Sequence, residues 1–114
     1  MPVIKYEDIE YTPIIMDGVR DASKAVPMNA DIWPEHVVRT FRLKPGGCTP
    51  RHSHDWEHVN YIMKGRGKLT IDGEAHELAA GDFAFVPPNA NHQFENPFDE
   101  ELEFICIVPE RGEY

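Results

Sequence analysis

The feature that most constrains the fold of this chain is a series of short alternating segments, each closed by a turn. From residue 37 onward these segments are rich in β-branched and aromatic residues, and Gly, Pro or Asn separates them. The clearest turn is Asp72-Gly73, which is typical of a two-residue type I′ hairpin. Helical periodicity is almost absent. The pattern therefore predicts an all-β protein, built as an antiparallel sandwich or barrel.

The predicted strands fall into a clear part and a less clear part. In the clear part we expect strands at 37–43, 57–63, 68–71, 75–78, 83–86, 92–96 and 102–108, and Pro45-Gly46-Gly47 is expected to end the first of them. Residues 1–35 are interpreted as an N-terminal arm with short strands at 14–16 and 22–28. This arm is predicted to be an outer strand or a strand exchanged with a partner subunit. A length of 114 residues suits one core, so we expect one domain, 1–114, with its barrel core at 36–109.

Four histidines are the strongest functional signal in the sequence. His52, His54 and His58 share one parity, so on an extended chain their side chains project from the same face. His92 follows later, after a Pro- and Asn-rich turn. Converging imidazoles in a polar stretch are difficult to explain as core packing, and they are typical of a metal site. The two remaining histidines have no such spacing and are interpreted as surface residues: His36 and His76.

The composition excludes some classes of partner. Twenty acidic residues against eleven basic ones give a net charge of -9, which argues against binding nucleic acid or an anionic membrane. No apolar run approaches the roughly 20 residues of a membrane span, and the N-terminus lacks a signal-peptide core, so we predict a cytoplasmic protein. The two cysteines are far apart and are not expected to form a disulfide. Small size and open sheet edges favour a homodimer.

Two segments resemble the paired motifs of the cupin family. In 46–65 a glycine is followed by three histidines and a second glycine; in 81–96 a glycine is followed by proline, histidine and asparagine. The resemblance is to the small single-domain cupins with a short hairpin between the motifs. It implies an antiparallel double-stranded β-helix, which is the cupin or jelly-roll barrel. One departure is Asn89 where the family usually has glycine, and asparagine is a residue that tolerates a left-handed backbone.

A second departure concerns the metal ligands. The usual motif has a glutamate where this chain has His58, so the sequence is most similar to the four-histidine subgroup of cupins. The resemblance implies one divalent metal ion per chain, with Mn or Fe favoured and Zn, Ni, Co and Cu as alternatives, since imidazole suits all of them. The ligand set that it implies is His52, His54, His58 and His92.

Strand parity identifies further residues for a substrate pocket. Arg39 shares a face with Phe41, and it is either an anion clamp inside the barrel or a solvated surface arginine. Cys106 shares a face with Phe104, and it either lies near the metal or is a plain buried residue. Asn60 has the parity of the third histidine, so it either supports that ligand or lies at the barrel rim.

These residues predict a metal-binding protein, for which we expect a metalloenzyme acting on a small oxygenated molecule. Four protein ligands on a six-coordinate ion leave two positions open, which suits dioxygenase-like chemistry. Metal-dependent isomerase or lyase chemistry is an alternative, but no clear second acid or base accompanies the histidines. A non-catalytic barrel that binds a small molecule is the other alternative.

Overall fold

The computed structural model describes residues 2–112. Its elements are a 3-10 helix at Tyr6–Asp8; strands β1 (Thr12–Pro13), β2 (Arg20–Met28), β3 (His36–Cys48), β4 (His58–Lys64), β5 (Arg66–Ile71), β6 (Glu74–Ala79), β7 (Phe83–Val86), β8 (His92–Glu95) and β9 (Leu102–Pro109); and a 3-10 helix at Glu110–Gly112. Pairing is antiparallel throughout the described strands, in the order β6-β5-β8-β3-β9-β4-β7, with β2 added to β3 and β1 to β2. The predicted all-β class is confirmed.

Strand β3 is longer than the sequence pattern indicated, and its bend curls the sheet. It pairs with β9 up to Leu43↔Leu102 and then with β8 at Cys48↔Glu95. The prediction that Pro45-Gly46-Gly47 ends the strand was therefore wrong, because these residues bend the strand without ending it. The bend needs glycine: a Cβ on Gly47 would lie 2.8 Å from the carbonyl oxygen of Asp21. Strand β3 thus pairs with β9 before the bend and with β8 after it, besides its pairing with β2, and the sheet turns back on itself.

Two of the turns have the backbone that the sequence predicted. In the β5–β6 hairpin Asp72 has φ 47 and Gly73 has φ 83, as a type I′ turn requires. Asn89, in the position where the related motif has glycine, has φ 68. Both predictions are confirmed, and the second keeps the chain in place for His92, three residues later.

The N-terminal arm adds an outer strand to its own chain. Strand β2 pairs with β3 along most of its length, for example Lys24↔Phe41. The short strand predicted at 14–16 lies instead at Thr12–Pro13. Its shift follows from the backbone: Ile14 N–H donates to the carbonyl of Ala22 at 2.9 Å, and the chain then turns through Gly18 at φ 82.

The inside of the curled sheet is filled by one cluster of buried apolar side chains among the described residues. Phe104 is 1% exposed and stacks on two other rings, at 5.3 Å from Phe41 and 4.3 Å from Phe94 between ring centroids. These three rings come from β3, β8 and β9, so the core ties the strands that also carry the candidate site. Among residues 2–112 no helix is long and apolar enough to cross a bilayer.

Candidate metal centre

The loop before β4 and the start of β8 bring four histidines together. His52 and His92 form a two-way backbone bridge, with N–H to carbonyl distances of 3.1 and 2.9 Å. His58 begins β4 and is held by pairing with Val86 of β7. From residue 51 to 60 exposed side chains alternate with half-buried or buried ones, and the histidines lie at the less exposed positions, as their predicted parity required. The four imidazole rings lie with neighbouring centroids 4.8 to 5.5 Å apart.

Hydrogen bonds fix the ring orientation of three of these histidines. Nδ1 of His54 lies 2.8 Å from the carbonyl oxygen of Trp56, and Nδ1 of His92 lies 3.0 Å from that of Ala90. A carbonyl oxygen only accepts, so both Nδ1 atoms carry the hydrogen and both Nε2 atoms have free lone pairs. Nδ1 of His58 likewise donates to a side-chain oxygen, Oδ1 of Asn60, at 2.6 Å. This arrangement is the usual way in which a protein orients imidazole ligands.

The nitrogens of three of the four histidines form a group that could hold one metal ion, and His58 lies beside this group. One ligand nitrogen from each of His52, His54 and His92 lies within 4.8 Å of the other two. Nε2 of His58 and Nε2 of His92 are 3.2 Å apart. Two nitrogens bound to one ion at about 2.1 Å, at tetrahedral or octahedral angles, are themselves about 3.0–3.4 Å apart. Two lone pairs facing each other at this distance repel, and a cation between them removes that repulsion.

Burial keeps the four imidazoles in the form that binds metals. Burial lowers the pKa of His58 to about 3 and, together with the nearby His92, His54 and Arg39, lowers that of His52 to about 4. Burial also lowers the pKa of His54 and of His92, against the opposing effect of their carbonyl partners. Neutral imidazoles at neutral pH have the lone pairs that a metal ion requires.

The histidines open into a cavity of about 220 Å³. Four of the five residues predicted for the substrate pocket line it: Arg39, Phe41, Phe104 and Cys106. The fifth, Asn60, is fully buried behind His58, and its side-chain N–H points to the carbonyl of Ile105 at 3.4 Å. It therefore touches a candidate ligand, and not the cavity.

The structure places Arg39 inside the barrel. Its side chain is 3% exposed, it donates to Sγ of Cys106 at 3.1 Å, and its guanidinium lies 5.2 Å from the centre of the Phe41 ring. Its positive charge contributes to the low pKa of three of the histidines. Of the two alternatives that the sequence left open, the buried position beside the histidines is the one observed.

The N-terminal arm supplies a part of the cavity wall that the sequence did not predict. Five arm residues line the cavity: Thr12, Pro13, Ile14, Met16 and Lys24. No local signal could identify them, because the arm reaches the cavity only through the pairing of β2 with β3. Phe94 was also missed, although it has the parity of His92 and could have been found in that way.

The other two histidines lie away from the cluster. His36 stacks on Trp33 at 4.1 Å, and Nε2 of His76 lies 3.2 Å from a carboxylate oxygen of Glu74 on the same exposed strand. Neither is among the residues that line the cavity.

Known proteins support this description of the fold. A family model described as the cupin domain matches residues 39–108, which include all four clustered histidines. The chain belongs to the cupin family. The polyketide cyclase RemF from Streptomyces resistomycificus has the same fold, with a TM-score of 0.88 at 23% identity over 96% of this chain and 80% of that chain. The protein is therefore a small cupin with a jelly-roll barrel.

Two curated relatives are named for different functions. The cupin is 31% identical over 106 residues to the oxalate-binding protein of Thermotoga maritima, a match that covers 87% of this chain and 88% of the relative. It is 35% identical over 71 residues to 1-methylthio-D-xylulose 5-phosphate methylsulfurylase of Rhodospirillum rubrum, covering 62% of this chain. The chain spans 46% of the length of the methylsulfurylase, about half of it. Family membership alone does not select a substrate.

Proposed function

We propose that this cupin is a metalloenzyme that transforms a small oxygenated anion by dioxygenase-type chemistry. One divalent ion, Mn or Fe in the first place and Zn, Ni, Co or Cu as alternatives, would be held by four histidines: His52, His54, His58 and His92. The observation that carries the proposal is the convergence of these rings at one cavity, with three Nδ1 atoms engaged by oxygen acceptors. A bound ion supplies Lewis acidity and open positions for oxygen ligands.

The charge of the cavity supports an anionic substrate. Neutral imidazoles leave the charge of a divalent ion uncancelled, and Arg39 and Lys24 add positive charge to the same wall. None of the described residues that line the cavity is acidic, although the whole chain has a net charge of -9. The planar guanidinium of Arg39 would donate hydrogen bonds to a carboxylate of the substrate. Phe41 and Phe104 would pack against the apolar part of the molecule.

Binding without turnover is the second candidate. The relative that matches over most of its length is named for oxalate binding, and oxalate is a small oxygen-rich dianion of the kind that suits this cavity. Metal-dependent isomerase or lyase chemistry is a third candidate, favoured by the presence of Lys24 and Cys106 in the wall, since each could carry a proton. All three candidate functions use the metal and an anionic ligand. They differ in whether that ligand is oxidised by oxygen, rearranged or cleaved without oxygen, or bound without reaction.

Metal content and oxygen uptake, measured on the same purified sample, test the proposal. We expect about one Mn or Fe per chain by mass spectrometry, and oxygen consumption with some of a panel of oxalate, 2-oxo acids and hydroxylated benzoates. Metal with tight anion binding but without product would favour the binding candidate, whereas product without oxygen uptake would favour an isomerase or lyase. Failure to bind any of these metals, even after reconstitution, would overturn the proposal.

A further inference from the structure

The loop between the second and third histidines carries a tryptophan whose ring lies flat against a candidate ligand. Trp56 stacks on His54 with ring centroids 4.3 Å apart and only 3° between the planes. The same residue accepts the Nδ1 hydrogen bond of His54 through its carbonyl oxygen, at 2.8 Å. The backbone of Trp56 thus fixes which nitrogen of His54 is protonated, and its ring fixes the plane in which the other nitrogen lies.

The indole ring of this tryptophan also packs against the end of the described chain. A Cβ on Gly112 would lie 2.6 Å from Nε1 of Trp56, so the backbone there rests directly on the indole ring. Arg111 lies 5.7 Å from the centre of the same ring and donates to a carboxylate oxygen of Asp55 at 2.6 Å. The turn at Glu110–Gly112 and the loop that carries His54 are therefore joined at two points.

Trp56 is held by packing more than by polar contacts. Its indole N–H is buried and has no hydrogen-bond partner among the described residues. Such a buried donor costs stability, so the position of the ring is not one that hydrogen bonding selects. The surfaces that locate the ring are the imidazole of His54 and the C-terminal turn.

We propose that Trp56 is a positioning residue for His54 and that the C-terminal turn at Glu110–Gly112 clamps it. The clamp would hold Nε2 of His54 toward the other three histidines. Loss of the clamp should therefore make a bound ion dissociate faster, although all four histidines are still present. This inference rests on the proposed metal site. It assigns a role in that site to a segment that carries no ligand and lies about 50 residues beyond the loop.

The dissociation rate of Zn²⁺, followed with a colour-forming chelator on the full chain, tests the clamp. Trp56→Leu removes the flat ring, Gly112→Ala inserts a methyl group against it, and Trp56→Phe keeps a flat ring. Partners that orient metal ligands are typically worth about 10–100-fold in metal affinity, so we expect about tenfold faster release from Trp56→Leu and Gly112→Ala. Trp56→Phe should rescue the rate.

Controls separate a local effect from general destabilisation. Trp33→Phe changes the other tryptophan, which stacks on His36, and should leave the rate at the wild-type value. The thermal midpoints of the metal-free Trp56→Leu and Trp56→Phe proteins are compared, and the rates are read at a temperature at which both are folded. Wild-type release rates in Trp56→Leu and Gly112→Ala would overturn the clamp.

A measurement on the metal-free protein keeps the two proposals apart. Long-range proton–nitrogen spectra report whether the His54 ring keeps one orientation or exchanges between several. The carbonyl of residue 56 is present in every variant, so we expect the Nδ1–H form throughout, with sharp His54 ring signals in the wild type and in Trp56→Phe and signals broadened by exchange in Trp56→Leu. If no Zn²⁺ binds to the wild type, the metal site fails, and the spectra still decide the clamp: equally sharp His54 signals in Trp56→Leu would contradict it.

Discussion

Strand β3 carries two arginines on opposite faces, Arg39 buried and Arg42 partly exposed, and their surroundings differ in kind. On the outer face Arg42 donates to a carboxylate oxygen of Glu103 at 2.5 Å, and the hydroxyl of Tyr6 donates to the same carboxylate at 3.0 Å. On the inner face Arg39 lies in a cavity with four histidines and the thiol of Cys106. The outer group is a matched ion pair closed by the N-terminal arm, while the described inner wall contains cations and neutral imidazoles.

This difference separates a stability element from a ligand site. A buried charge that meets its counterion within the fold needs no other partner, and removing one member of the pair exposes the cost of burying the other. A cavity wall that contains positively charged side chains and neutral imidazoles is suited to bind an anion and a metal ion from solution. Changes to the outer group should therefore alter stability and leave metal content unchanged, whereas changes to the inner group should alter metal content.

The largest effect is expected when a candidate ligand is removed. His92→Ala should lose most of its bound metal, by more than the roughly 10–100-fold in affinity that supporting residues cost. The barrel should still fold, because the strand keeps its backbone bridge to His52. Metal per chain and far-ultraviolet circular dichroism are the measurements. His76→Ala, on the exposed strand β6, is the matched control and should retain the metal; equal metal in both variants would refute the four-ligand set.

The next largest effect is expected on the outer face. Glu103 is 2% exposed, and Glu103→Ala removes the hydrogen-bonded carboxylate of Arg42 and leaves it only the more distant one of Glu101, at 3.8 Å. Breaking a buried pair costs about 3–5 kcal/mol, and we expect about 3 kcal/mol, since Arg42 is partly exposed and can reach water. Urea unfolding measures the loss. The control is Glu77→Ala, whose ion pair with Arg66 is exposed and should be worth under about 1 kcal/mol. Loss of metal in Glu103→Ala would contradict the separation of the two faces.

The two regions were not equally predictable from the sequence. The inner site depends on spacing within short segments, so parity along the chain placed His52, His54 and His58 on one side and put Arg39 with Phe41. The outer group depends on the register between distant strands. Nothing near Glu103 in the sequence indicates that Tyr6, 97 residues earlier, would reach it. The same reason explains why Lys24 was missed at the cavity wall.

The bend in β3 shows a related limit. A Pro-Gly-Gly sequence normally ends a strand. The rule fails here because the N–H of Gly46 donates to the carbonyl oxygen of Asn96 at 2.8 Å, so pairing continues past the bend. The partner segment that continues the pairing is about 50 residues away, so a local sequence pattern cannot identify it.

The homodimer, the cytoplasmic location and the absence of nucleic-acid and membrane partners stay predictions.

Acid should affect the inner site in a defined direction. The pKa values of His52 and His58 in the folded protein, about 4 and about 3, lie below the ordinary histidine value of 6.5, so the unfolded chain binds more protons than the folded one between these limits. Stability of the metal-free protein should be complete above about pH 6.5 and should fall as the pH drops toward 4, by up to about 1.4 kcal/mol per pH unit for each histidine. Urea unfolding across this range measures the slope. His58→Gln should flatten it and His76→Gln should not; an unchanged slope in His58→Gln would contradict this account.

The smallest effect concerns the hydroxyl that ties the arm to the outer pair. Tyr6 is 54% exposed, so Tyr6→Phe removes the hydrogen bonds to Glu103 while the ring keeps its place beside Arg42. A hydrogen bond of this kind is worth about 1 kcal/mol net, and urea unfolding should report a loss of that size. Because Thr12, Pro13, Ile14 and Met16 of the same arm line the inner cavity, anion binding in the metal-loaded variant shows whether the two faces are coupled. Unchanged oxalate affinity in Tyr6→Phe would show that the two faces of β3 act independently. A several-fold loss of affinity would mean that the outer ion pair helps to close the inner cavity.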